Sequence, residues 1–176
     1  MFRCRICADF SSVFSQQDFA WGGSVQPDTS ASKAQFKPRT DEEIAAISRT
    51  WNLYTHQRGV DFFGENGTSK VFGDLARSID SEDDPVLGAE DKCVLWHGDV
   101  DSNQAPILRI MKPGEETESV SYVSRVIVFL FATDECFDLL EKLPKKPFRM
   151  KCGNSRCVHL GHIEVDRNRG CRVPLR

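Results

Sequence analysis

Near the C-terminus, Cys152, Cys157 and His162 are spaced Cys-x4-Cys-x4-His, and a further cysteine stands far upstream at Cys93. Thiolate and imidazole are the donors zinc prefers, and a site that takes all four donors from protein leaves no position for a substrate. The chemistry on offer is a structural staple rather than a catalytic metal. Seven cysteines form an odd set without paired spacing, which favours metal ligation or buried thiols over a disulfide framework and points to a reducing compartment. Cys4 and Cys7 have the spacing of a metal knuckle without a second pair beside it.

Charge is distributed unevenly around this set. The net charge is -3, yet residues 141–176 hold ten basic and three acidic side chains, whereas residues 41–92 hold five and twelve. A basic stretch of this density can neutralise phosphates and release counterions. Lys145, Lys146, Arg149, Lys151 and Arg156 are the candidate contacts to nucleic acid or to another partner. The alternative is that the basic residues pair with the acidic middle of the same chain. No glycine-rich phosphate cradle, Ser/His/Asp set or paired carboxylates stand out, so no small-molecule substrate is evident.

The elements that must position these residues fall in three parts. Residues 1–39 read as an arm or linker, because residues 20–39 are rich in Gly, Ser, Gln and Pro. Residues 40–90 read as helical. Thr40 and Glu43 form a capping box, Ile44, Ile47, Trp51 and Tyr54 make one apolar stripe, and a second helix follows through Phe62, Phe72 and Leu75. His56 is expected at the end of the first of these helices. The acidic run at residues 82–84 reads as a solvated turn and boundary. Residues 91–176 read as strand, turn and strand: Cys93 to Trp96, then Pro106 to Met111. Val120 to Phe131 fits either a strand or a buried helix, and Thr133 caps a short helix that Pro144 stops. The longest apolar run, Val126 to Ala132, is seven residues, against the roughly 20 needed to cross a bilayer, so no membrane span is expected.

Cys93-x-x-Trp96, Ile107-Leu108-Arg109-Ile110, Ser124-Arg125 and Cys152-Gly153-Asn154-x-x-Cys157-Val158 through His162 resemble the zinc-binding branch of the His-Me finger (HNH) endonucleases, the phage and homing type. The resemblance covers about residues 93 to 166. It implies an α+β fold in which a small zinc-stapled ββα module follows an N-terminal helical region. It also implies one structural zinc held by Cys93, Cys152, Cys157 and His162, and it alone supplies the link to Cys93.

The departures from the family pattern decide the expected function. The general-base histidine that precedes the first loop cysteine is replaced by Met150, and a thioether cannot accept the proton of an attacking water. The histidine of the middle motif is Ser124, and Cys171 stands where the family carries a metal-holding Asn or His. The expected protein is a non-catalytic, zinc-stabilised binding or architectural subunit of a larger assembly, with nucleic acid among the partners its basic end suits. The alternative is a divergent metal-dependent DNA endonuclease that takes its base from His159 and its metal ligand from Asn168. The expected setting is intracellular, in nucleus or cytoplasm, with a mitochondrial or plastid address left open by the two N-terminal arginines.

Overall fold

The computed structural model describes residues 36–166 and 169–171. The expected arm up to residue 35, with Cys4 and Cys7, lies outside the described residues, as does Asn168. Helix α1 spans Asp41–Tyr54 and α2 spans Gln57–Arg77; strands β1 (Ile107–Met111) and β2 (Glu118–Tyr122) follow, then α3 (Val123–Phe131), α4 (Asp134–Glu141), β3 (Glu164–Asp166) and β4 (Arg169–Gly170). The architecture is mixed helix and sheet, with two small antiparallel pairs, β1 with β2 and β3 with β4. No helix among the described residues is long and apolar enough to cross a membrane.

Helix α1 begins as its capping box requires. The Glu43 amide donates to the Thr40 hydroxyl at 3.3 Å, and the Thr40 amide donates to the Glu43 carboxylate at 2.8 Å. Ile44 and Trp51 are buried on its apolar stripe. Helix α2 is interrupted at Gly64, whose φ of +66° is open to glycine at no steric cost, so the kink falls within one helical stretch.

The ambiguous apolar run splits in two. Residues 118–122 pair with β1, from Ile107 opposite Tyr122 to Met111 opposite Glu118. Val123 onward is helical, and all nine residues of α3 are buried. A helix with only Ser124 and Arg125 to break its apolar surface must be enclosed, and here tertiary packing overrides the strand preference of its Val and Ile residues. Trp51 and Phe72 pack about Phe131 on one side of α3, with ring centroids 5.6 to 6.3 Å apart, and Phe62, Phe63 and Phe137 about Phe129 on another. One cluster of buried side chains runs from Ile44 to Cys171, so the helical part and the C-terminal part share a core.

Cys93 to Trp96 is not a strand. Leu95 and Trp96 each make a single bridge, to Cys157 and Ile79, because the segment is held between two short backbone pieces rather than along one partner. After His162 come β3 and β4, with a register shift between Glu164 and Asp166. Cys136 on α4 and Cys171 are joined as a disulfide, which departs from the expectation of unpaired thiols. Their spacing in sequence carried no sign of it, since α4 and the chain end meet only through the fold.

His56 also differs from expectation. It is the N-cap of α2: its Nδ1 accepts from the Arg58 amide at 3.3 Å, and its Nε2 lies 3.1 Å from Asp134. Burial pushes its pKa below the usual 6.5, and the Arg58 cation adds to this, outweighing the pull of Asp134. The unfolded chain therefore binds the proton more readily than the folded one. Stability is expected to be fully present above the ordinary value and to decline as pH falls through it. His56→Asn, which keeps a capping acceptor, should flatten that decline in urea midpoints compared at about pH 7 and about pH 5; an unchanged slope would contradict this assignment.

Candidate metal centre

The loop that carries the donors is closed at its neck by backbone bonds. The Lys151 amide donates to the His162 carbonyl and the Glu164 amide to the Arg149 carbonyl, both at 2.8 Å. Inside the loop the Gly153 amide turns back to the Met150 carbonyl, and Asn154 accepts from the Arg156 amide through its side chain and from the Cys157 amide through its carbonyl. This local turn chemistry sets Cys152 and Cys157 on one end of the loop. Cys93 arrives from a distant segment: the Trp96 amide donates to the Arg156 carbonyl at 2.9 Å and the Val158 amide to the Val94 carbonyl at 2.8 Å. The upstream segment is thus laid along the loop.

The donor atoms of Cys93, Cys152, Cys157 and His162 all lie within 4.8 Å of one another and could hold a metal ion. His162 Nδ1 is 3.4 Å from the Cys157 sulfur and 3.7 Å from the Cys93 sulfur. With metal–sulfur bonds of about 2.3 Å and metal–nitrogen bonds of about 2.05 Å, a regular tetrahedron has sulfur-to-nitrogen edges of about 3.6 Å. These two separations match that figure. The His162 ring is also oriented for the task, since its Nε2 donates to the Glu90 carbonyl at 2.6 Å. That bond fixes the proton on Nε2 and leaves the Nδ1 lone pair facing the sulfurs.

Burial pushes the Cys157 thiol up to about 12, with the neighbouring Cys152 and Cys93 sulfurs adding to it. Burial also raises Cys93, with its contact to Cys152 next in importance. Three sulfurs cannot share negative charge in so small a volume unless a cation compensates, and a coordinating metal ion does so outright.

His159 is buried and bonded at both ring nitrogens. Its Nδ1 accepts from the Gly161 amide at 3.0 Å, capping the short 3-10 turn Leu160–His162, and its Nε2 donates to the Gly88 carbonyl at 3.2 Å. Burial lowers its pKa. It therefore fixes the loop, with both ring nitrogens engaged. Met150 is buried in the core, and the Ser124 hydroxyl accepts from the Phe148 amide at 3.2 Å.

Sequence reasoning missed the segment from Asp84 to Glu90, which clamps the loop from behind. Asp84 is no solvated turn residue: its carboxylate accepts from the Trp51 indole at 3.1 Å and from the Val86 and Leu87 amides. Pro85, Gly88 and Glu90 each give a backbone carbonyl, to the Leu160 amide and to the two histidines. Carbonyls carry no side-chain signal. The one available hint is Gly88, where an added Cβ would sit 2.3 Å from the Asp84 carbonyl oxygen.

The basic candidates Lys145, Lys146, Arg149, Lys151 and Arg156 are all exposed. Arg149 pairs with Glu164 at 3.1 Å, and the other four make no ion pair among the described residues, so the acidic middle of the chain does not neutralise them. Their first part is fixed from beneath by Arg125, whose guanidinium donates to the carbonyls of Lys146, Pro144 and Leu143 and stacks 4.4 Å from the Phe148 ring centre.

No family model, curated protein or solved structure matches this chain.

Proposed function

We propose that this chain is a non-catalytic binding or architectural subunit, stapled by one structural zinc on Cys93, Cys152, Cys157 and His162, that contacts nucleic acid through its basic C-terminal residues within a larger assembly. The observation that carries the reading is the closed donor set of three sulfurs and one nitrogen: a tetrahedral ion with four protein ligands has no coordination position for water or substrate. When bound, the ion supplies a cross-link between Cys93 and the C-terminal loop and charge compensation for three thiolates. The chain's own residues do the rest. Glu90 orients His162, His159 holds the loop to Gly88, and Arg125 sets the backbone that presents Lys145 and Lys146.

Thiolate donors suit an intracellular, reducing compartment, and the Cys136–Cys171 pair, 7% and 3% exposed, is shielded there from exchange with small thiols. The His-Me finger resemblance fits the same picture as a scaffold that has kept its zinc frame and lost its general base. The endonuclease alternative finds no support in His159.

Binding of labelled duplex DNA and structured RNA, followed by fluorescence anisotropy across a salt series, tests the reading. Lys145 and Lys146 are exposed and unpaired among the described residues, so Lys145→Ala with Lys146→Ala should leave the fold intact. Two lost phosphate contacts should reduce the log–log salt slope on duplex DNA by about 1.8 and weaken binding at every salt concentration. An unchanged slope and affinity would exclude these lysines from the surface, and no binding of either probe at low salt would refute nucleic acid as the partner.

A further inference from the structure

The four donors of the metal centre are not equally protected. Cys157 is 1% exposed and His162 is 4% exposed, Cys93 is half-buried, and Cys152 is open to solvent. Cys152 is flanked by exposed Lys151, with exposed Arg156 on the same loop. An exposed sulfur can be reached by an oxidant, whereas an enclosed one is inert. Its partner is already in place, because the Cys93 and Cys152 sulfurs lie within 4.8 Å of each other.

We infer that Cys152 is the oxidant-sensitive ligand of the site, and that its oxidation by a hydroperoxide cross-links it to Cys93 and releases the metal. The inference rests on the zinc reading above and names how that site is regulated. In the first step the Cys152 thiolate attacks one oxygen of hydrogen peroxide; an S–O bond forms, the O–O bond breaks and hydroxide leaves. In the second the Cys93 thiolate attacks the sulfenic sulfur; an S–S bond forms, the S–O bond breaks and a second hydroxide leaves. Two thiolates have then given two electrons to one peroxide, which ends as two hydroxides. The tetrad is left with two donors, Cys157 and His162, too few for a closed site. Lys151 and Arg156 lie on the loop that the four donors hold in shape, so the same event loosens part of the basic surface. Buried Cys157 cannot start this sequence, and Cys136 and Cys171 are already paired.

The full-length protein, its zinc content first measured by native mass spectrometry, is treated with hydrogen peroxide. Zinc release is followed with a chromogenic chelator, and the cysteines are mapped by peptide mass spectrometry. The expected result is one zinc per chain at the start, release of that zinc, and a Cys93–Cys152 cross-link. Cys152→His keeps a fourth donor but no thiol, and should release zinc about tenfold more slowly. Zinc retained through oxidation, or Cys157 oxidised ahead of Cys152, would overturn the inference even if the variant failed to fold. Absence of zinc from the untreated protein would instead refute the metal reading itself, and the inference with it.

Discussion

His162→Ala is expected to strip the metal from the protein and lower its stability by at least about 5 kcal/mol, with a fall in Tm of about 10–20 °C. The size follows from what the donor set joins. The segment that carries Cys93 is otherwise linked to the C-terminal loop by the bridge between Leu95 and Cys157, made of two backbone hydrogen bonds, and by the bonds that Pro85 and Gly88 accept from the loop. Structural zinc sites contribute about 10–16 kcal/mol of apparent binding free energy, comparable with the whole stability of a domain. The disulfide between Cys136 and Cys171 and the shared core keep part of that from being lost. Thermal melts in zinc-buffered solution check the prediction, with Lys142→Ala as an exposed control. A Tm within about 2 °C of the parent would show that the tetrad carries no such link.

Arg58→Met should cost about 3–5 kcal/mol, the second large effect, although no metal donor or basic contact is touched. Arg58 is buried. Its Nε donates to the Phe129 carbonyl at 2.8 Å, and its two terminal nitrogens donate to the Val128 and Ala132 carbonyls and to Asp134. It also stacks on the Phe137 ring, 4.4 Å from the centre. Three of these acceptors lie at the end of α3, where the dipole favours a cation, and the Val128 carbonyl accepts from the Ala132 amide as well. Burial lowers the Arg58 pKa to about 10, mainly by desolvation, which still leaves it charged at neutral pH. Removing it takes a charged donor away from three buried carbonyls and from Asp134. Arg58→Lys should recover less than half of the loss, because an ammonium cannot span the forked set of acceptors. Urea unfolding of the three proteins at equal m-value measures this, and a cost below about 1 kcal/mol for Arg58→Met would contradict it.

Arg58 also shows where sequence reasoning ended. Arg39, Arg58 and Arg125 look like ordinary surface charge in a sequence, yet each is buried and donates to carbonyls at a helix end or loop: Arg39 to Ala76, Ile79 and Asp83, Arg58 to the end of α3, and Arg125 to the loop after α4. Nothing in local spacing distinguishes such an arginine, because its acceptors are backbone atoms far along the chain. The helix caps are the opposite case. Thr40 with Glu43 and Thr133 before Cys136 were legible because donor and acceptor lie within one turn. Cys152, Cys157 and His162 were legible by spacing for the same reason, whereas Cys93 needed either a resemblance or a structure. The run from Val120 to Phe131 stayed ambiguous because a fully enclosed segment has no polar face, and a polar face is what distinguishes a period of two from one of 3.6.

Zinc K-edge X-ray absorption of the protein purified without added metal tests the central claim most directly. The account predicts one zinc per chain with three sulfurs at about 2.3 Å and one nitrogen at about 2.0–2.1 Å, and no water in the first sphere. A protein that holds no zinc, or a zinc with two sulfurs and coordinated water, would contradict it: the first would remove the staple, and the second would reopen the site to catalysis.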